Sequence, residues 1–242
     1  MIEIRHSGMD STSATQQNYN QIYTSKGIRN LDSFYLWLIS LLKASPGKKL
    51  LDISCGEGRL VILARRNGLR AIGVDFSIAA LEEANKQEPQ AWWIVGDGEG
   101  LPIGSATYDY ITHIGSLEHY QNPIAGISEI SRVLKPGGIT CILLPNSYGL
   151  LGNIWNVYKT GDIYDDGQPL QRYNTPKGWQ MMLESCYLMP LHIFKYEREW
   201  PRTTKDLRWY LYHPVKFVRL FFNYFVPVNL GNCLVYLCKR VE

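Results

Sequence analysis

The apolar positions change period along the chain. Between 31 and 43 they recur at helical spacing, with Phe34, Leu38, Leu41 and Leu42 on one face, as an amphipathic helix requires. A shorter helix is predicted at Tyr19 to Tyr23. From residue 49 onward, short apolar runs alternate with helical stretches. Strands are predicted at Lys49 to Ile53, Arg70 to Asp75, Trp92 to Val95, Tyr108 to His113 and Ile139 to Leu144. Between them, Gly58 to Asn67 reads as a helix stopped by Gly68. Ser77 is an N-cap for a helix to about Glu88, and Pro123 to Leu134 is a further helix. This alternation predicts an α/β fold, a mostly parallel sheet with helices on both faces. Thr175 and Pro176 supply the N-cap and first position of a helix over Lys177 to Ser185. Strands at Leu191 to Tyr196 and Cys233 to Lys239 complete the pattern.

Two stretches exceed what such a scaffold needs, residues 146–174 and 200–231. Loops of that length in a compact domain are usually lids or binding segments. They are also aromatic, since residues 148–225 hold 18 of the 30 aromatic side chains.

At 242 residues the chain can form one α/β domain with a full core. A net charge of +3 is too small to argue for nucleic acid. The five cysteines, Cys55, Cys141, Cys186, Cys233 and Cys238, form no CxxC pair. An odd count without metal spacing predicts buried thiols in a reducing, cytoplasmic compartment, and no metal site. Met1 to Ser13 is polar, so no signal peptide is expected. Residues 220–238 lack charge, but Pro227 and three asparagines make a membrane span an unsuitable reading.

The chemistry concentrates at Leu51-Asp52-Ile53-Ser54-Cys55-Gly56-Glu57-Gly58-Arg59-Leu60. An apolar run ends there, turns through two glycines and opens a helix, so a ligand can approach the backbone. Ala71-Ile72-Gly73-Val74-Asp75 is a second apolar run, ending in a carboxylate 17 residues after Gly58. A carboxylate there can accept hydrogen bonds from both hydroxyls of a ribose. These features say nucleotide or nucleoside. A dinucleotide turn wants a third small residue, where this chain has Val61. Asp52 and Glu57 would repel a pyrophosphate. No Gly-Lys-Ser/Thr follows, which excludes a P-loop. A ligand carrying a sulfonium, an ammonium and a ribose diol, with no phosphate, suits the acidic loop.

In these residues the chain resembles the class I S-adenosylmethionine-dependent methyltransferases of small molecules, whose loop reads Asp-x-Gly-x-Gly-x-Gly. Ser54 stands at the first glycine. Further motifs follow in the family's order: Gly96-Asp97-Gly98-Glu99-Gly100-Leu101-Pro102, Tyr108-Asp109-Tyr110-Ile111, Ser116-Leu117-Glu118-His119 and Leu134-Lys135-Pro136-Gly137-Gly138. The resemblance covers roughly residues 45–145. It implies a Rossmann-like seven-stranded sheet whose last strand lies antiparallel between strands 5 and 6. The expected organisation is one domain over 1–242. Residues 1–45 would be N-terminal helices and 46–145 the cofactor core, with 146–174 and 200–231 as aromatic lid and acceptor insertions.

The resemblance also assigns roles. S-adenosylmethionine is the expected cofactor. Asp75 would hold the ribose, with Gly56 and Gly58 forming the turn beneath it. Asp52 would sit near the methionine amino group, with Ser54 beside it. Asp97, with Gly98, would accept from the adenine amino group, and Phe76 would lean on the adenine or join the core. Gly115 and Ser116 would meet the methionine part, and Tyr23 would reach the cofactor carboxylate or pack as part of the core. His119 would act as general base on an acceptor hydroxyl or brace its loop, and His113 would end its strand as a packing residue. The acceptor would be a small lipophilic molecule, a secondary metabolite or a glycan, methylated on O, N or C. A nicotinamide-dependent oxidoreductase and a catalytically silent binding module are the rival readings. In 202–225, Lys216, Arg219 and Asn223 share one helical face. A lid, a homodimer contact and peripheral membrane contact all remain open there.

Overall fold

A computed structural model describes residues 1–6, 12–25, 27, 28 and 30–242; the side chains of Thr12, Ser13 and Arg219 lie outside the description. The elements run β1 (Ile2–Arg5), α1 (Thr12–Ser25), α2 (Asp32–Leu42), β2 (Lys49–Ile53), α3 (Arg59–Arg66), β3 (Arg70–Asp75), α4 (Ile78–Gln87) and β4 (Trp93–Val95). They continue with β5 (Tyr108–Ile114), α5 (Pro123–Val133), β6 (Leu134–Pro145), α6 (Trp155–Thr160), β7 (Leu170–Tyr173) and α7 (Pro176–Ser185). β8 (Leu188–Tyr196), α8 (Thr204–Leu211), α9 (Pro214–Asn223) and β9 (Cys233–Arg240) complete the chain.

Seven strands form one sheet in the order β4-β3-β2-β5-β6-β9-β8. β2 to β6 are parallel, and β9 runs antiparallel between β6 and β8. Successive side chains along the central strands enter opposite cores, because the pleat has a period of two. Leu51, Ile142 and Leu144 pack with Ile127 and Ile130 of α5 and Trp179 of α7. Leu50, Cys141 and Leu143 pack on the other face with Leu38 of α2 and Val61 of α3. Strands covered on both faces read as near-continuous apolar runs, and each fully buried Leu or Ile contributes about 2 kcal/mol. One motif residue here is a scaffold part. Asp109 accepts from the Lys49 N–H at 2.9 Å and from Lys135 Nζ at 2.8 Å. That ties the start of β2 to the turn that opens β6.

Several elements differ from the sequence-based expectation. The N-terminal segment is not helical throughout, because Ile2–Arg5 is a strand. It pairs antiparallel with β7, inside the first insertion, with Glu3 opposite Arg172 and Arg5 opposite Leu170. The Glu3–Arg172 pair closes to 2.8 Å. α1 is longer than Tyr19 to Tyr23. Its sequence Thr-Ser-Ala-Thr-Gln-Gln-Asn-Tyr-Asn-Gln is polar, so it carries no apolar stripe to signal it. The insertions hold α6 and β7 in one case and α8 and α9 in the other.

Candidate active site

The parallel strands end at one edge of the sheet, where such folds open a crevice. β2 runs into Ser54, Cys55 and Gly56. Gly56 takes φ 53°, a left-handed conformation that glycine adopts without penalty. A Cβ there would stand 2.8 Å from the Tyr23 hydroxyl. Ser54 is also left-handed, with φ 55°, which costs a non-glycine residue about 1–2 kcal/mol. Its hydroxyl hydrogen-bonds the Tyr120 hydroxyl at 3.0 Å, an interaction of comparable size. Ser54 therefore replaces the usual glycine with a residue pinned from across the cavity.

Asp75 ends β3 and is 6% exposed. Its Oδ2 accepts from the Gly56 N–H and its Oδ1 from the Ser77 N–H, both at 2.7 Å. Each oxygen keeps a further lone pair for a ligand hydroxyl. Burial raises its pKa to about 6 despite those N–H groups. Asp52 is 3% exposed, and its Oδ1 accepts from Thr112 Oγ1 at 2.6 Å. Burial raises Asp52 to about 7, the Thr112 hydroxyl opposes this, and the nearby Asp75 charge adds to it. Two buried carboxylates thus share one cavity, and among the described residues no lysine or arginine lines it. That donor set fits a ligand that brings cationic groups and a diol.

The same cavity is closed by loops laced to one another. Asp97 accepts from the Glu99 N–H at 2.9 Å. Glu99 in turn accepts from the Gln121 N–H at 2.7 Å, joining the acidic loop to the turn that follows β5. Tyr120, on that turn, reaches His113 Nε2 at 2.9 Å as well as Ser54. Burial pushes His113 down to about 3, so it is neutral. α1 lies over the opening. Gln16 Nε2 donates to the Phe76 carbonyl at 2.8 Å, and Ser77 Oγ donates to Asn20 Oδ1 at 2.7 Å.

His119 sits in the cavity wall, 9% exposed. Its Nδ1 lies 2.5 Å from the Leu170 carbonyl of β7. A carbonyl only accepts, so Nδ1 carries a proton and Nε2 is the nitrogen left toward other groups. Glu118 Oε1 and Asp166 Oδ2 lie 3.8 and 3.9 Å from Nε2. Glu118 Oε2 is buried without a hydrogen-bond partner, and burial raises the pKa of this carboxyl. Arg172 of β7 donates to the carbonyls of Tyr120 and Gln121. The ribbon of β1 and β7 is therefore what fixes the loop that carries His119.

Asp52, Ser54, Gly56, Asp75, Phe76, Asp97, Gly98, Gly115, Tyr23 and His119 all line this one cavity. Gly58 does not line it. It takes φ 73°, and a Cβ on it would stand 2.2 Å from the Trp93 ring. Its role is to let Trp93 pack under the turn. Among the described residues none of 200–231 lines the cavity, and of 146–174 Gln168 does. The cover comes from Thr15, Tyr19 and Tyr23 of α1. Sequence reasoning missed Tyr120 and Glu99. Tyr120 directly follows the Glu118-His119 pair, and that adjacency was the available signal.

Residues 51–142 match the family described as Methyltransferase domain. A methyltransferase of Synechocystis sp. is 35% identical over 115 residues, 46% of this chain and 54% of that protein. The demethylmenaquinone methyltransferase of Beutenbergia cavernae is 30% identical over 100 residues, 41% of this chain and 42% of that protein. The matched region spans about half or less of these relatives' length. Among solved structures, an S-adenosylmethionine-dependent methyltransferase from Mesorhizobium loti is 14% identical with TM-score 0.62, covering 86% of this chain and 98% of that one. The [4+2]-cyclase SpnF is 16% identical with TM-score 0.67, covering 96% and 97%. At such identities the structural likeness speaks for the fold alone. Through residues 51–142 this chain is similar to methyltransferase domains, and the acidic lining of the cavity suits a ligand that carries cationic groups and a diol.

Proposed function

We propose that the protein transfers the methyl group of S-adenosylmethionine to a small lipophilic acceptor, and that it does so in the cytoplasm. The observation that carries this reading is the pair of buried carboxylates, Asp52 and Asp75, at the carboxyl ends of adjacent parallel strands. Asp75 would accept from the ribose hydroxyls. Asp52 would face the methionine ammonium, and Asp97 would take the adenine amino group. Bound S-adenosylmethionine supplies a methyl group on a good leaving group, so holding the acceptor in line supplies most of the acceleration. His119, with Nδ1 held by the Leu170 carbonyl, would take the proton of a hydroxyl acceptor on Nε2. Relatives named as demethylmenaquinone methyltransferases support an acceptor of quinone-like, lipophilic chemistry. The five free thiols support a reducing compartment.

Calorimetry tests the cofactor. S-adenosylmethionine and its demethylated product should both bind with micromolar affinity. Heat with NADH and none with either of these would instead establish the oxidoreductase reading. Binding without turnover across phenols, sugars and quinone precursors would leave the silent module standing.

A further inference from the structure

α8 and α9 hang from the carboxyl edge of the sheet. β8 ends there at Tyr196, opposite Cys233 at the start of β9, which also faces Pro145 at the end of β6. This is the edge at which Asp52 and Asp75 stand, yet neither helix lines the cavity. α9 is amphipathic in an unusual sense. Leu220 is 1% exposed and faces inward. Outward, Val215, Val218 and Phe222 of α9 recur at spacings of three and four and are 71, 52 and 60% exposed, with Leu211 at the end of α8 and Phe225 just beyond α9 also exposed, at 67 and 78%. A regular apolar stripe on the solvent side of a helix marks an interaction surface.

The charges around the stripe favour one kind of partner. From 195 to 225 the sequence holds seven basic residues against Glu197, Glu199 and Asp206. All three acids are engaged within the fold. Glu197 accepts from the Asn232 N–H at 2.7 Å, Glu199 from the Trp200 N–H at 3.0 Å, and Asp206 from the Ser33 N–H at 3.0 Å. Arg202 pairs with Glu199 at 3.6 Å and Lys195 donates to the carbonyls of Asn223 and Val226, whereas three other cations lie against aromatic rings. Lys216 Nζ stands 4.9 Å from the Trp209 ring centre, with Arg198 5.4 Å from the same ring. Arg208 stands 6.0 Å from the Tyr212 ring. An apolar stripe flanked by aromatics and net positive charge is the chemistry of a helix that lies in the headgroup plane of an anionic bilayer. Among the described residues no helix is long and apolar enough to cross a membrane.

We infer that α8 and α9 dock on an anionic lipid surface through Val218, Phe222 and Phe225, with Arg208 and Lys216 contacting headgroups. The inference stands apart from the proposed reaction, and flotation needs neither cofactor nor acceptor. The full chain is mixed with phosphatidylcholine vesicles, with or without phosphatidylglycerol, and floated at low and high salt. The wild type should rise with the anionic vesicles at low salt and stay down with the neutral ones. Val218→Ser/Phe222→Ser/Phe225→Ser should weaken partitioning about tenfold or more, with its melting temperature unchanged because these side chains are exposed. Arg208→Glu/Lys216→Glu should weaken it about tenfold at low salt only. No enrichment on anionic vesicles would overturn the inference. So would a stable dimer in sedimentation that the serine variant splits, since the stripe would then belong to a second copy of the chain.

Discussion

Asp75 and Gly58 serve the same turn in different ways, and substitution separates them. With Asp75 in the proposed ribose-binding role, Asp75→Ala should weaken cofactor binding by about 1–3 kcal/mol, read by calorimetry. Gly58→Ala meets the Trp93 ring and a left-handed φ. It should cost about 3 kcal/mol of stability and lower the melting temperature by about 10 °C. An unchanged melting temperature would show that the ring moves aside freely. His119 poses a choice between base and brace. His119→Ala should lower turnover on a hydroxyl acceptor about a hundredfold with cofactor affinity unchanged. Near-full turnover would assign catalysis to proximity alone, and joint loss of stability and cofactor binding would assign His119 to bracing.

At the scale of elements, the ribbon of β1 and β7 does what neither strand could do alone. Arg172 is buried and donates to Glu3 and to two loop carbonyls beside His119. Arg172→Ala leaves the two loop carbonyls without their donor, at about 1–3 kcal/mol each, while Glu3 keeps Arg5. It should lower the melting temperature and reduce turnover more than cofactor affinity, checked by thermal unfolding and by separate kcat and KM values. The Ile2-Glu3-Ile4-Arg5 alternation was visible in the sequence. Its partner, Leu170-Gln171-Arg172-Tyr173, has no alternation and is buried throughout. Pairing across more than 160 residues cannot be read from either strand. The part of α1 before Tyr19 was illegible for a related reason, since its polar residues carry no apolar stripe.

At the scale of the whole molecule, the cavity gathers charge that only a ligand relieves. Burial places Asp52 at about 7 and Asp75 at about 6, so near neutrality part of the pair is protonated in the free protein. A ligand carrying an ammonium and a sulfonium favours the ionised forms and lowers both values. Binding should therefore release protons between about pH 5 and pH 7, and affinity should rise with pH through that window. Calorimetry in buffers of different ionisation enthalpy reads the release directly. Asp52→Asn should reduce it. Heats that are independent of the buffer would mean that both carboxylates are already ionised before binding.

Local patterns determined the scaffold. The alternation of strand and helix, the capping residues Ser77 and Thr175 and the glycine turn after β2 each follow from neighbours in sequence, because backbone conformation and side-chain period are local properties. The placement of Asp52 beside Asp75 was legible for the same reason, since adjacent parallel strands end at one edge. Tertiary structure alone decided the rest. It put Trp93 against Gly58, laid the polar α1 over the cavity and tied His119 to β7. It also turned the aromatic stretch 200–231 away from the cavity, with its apolar stripe outward. Each of these is a contact between segments far apart in the chain. Its energy depends on which surfaces meet, and composition and spacing within one segment carry no record of that.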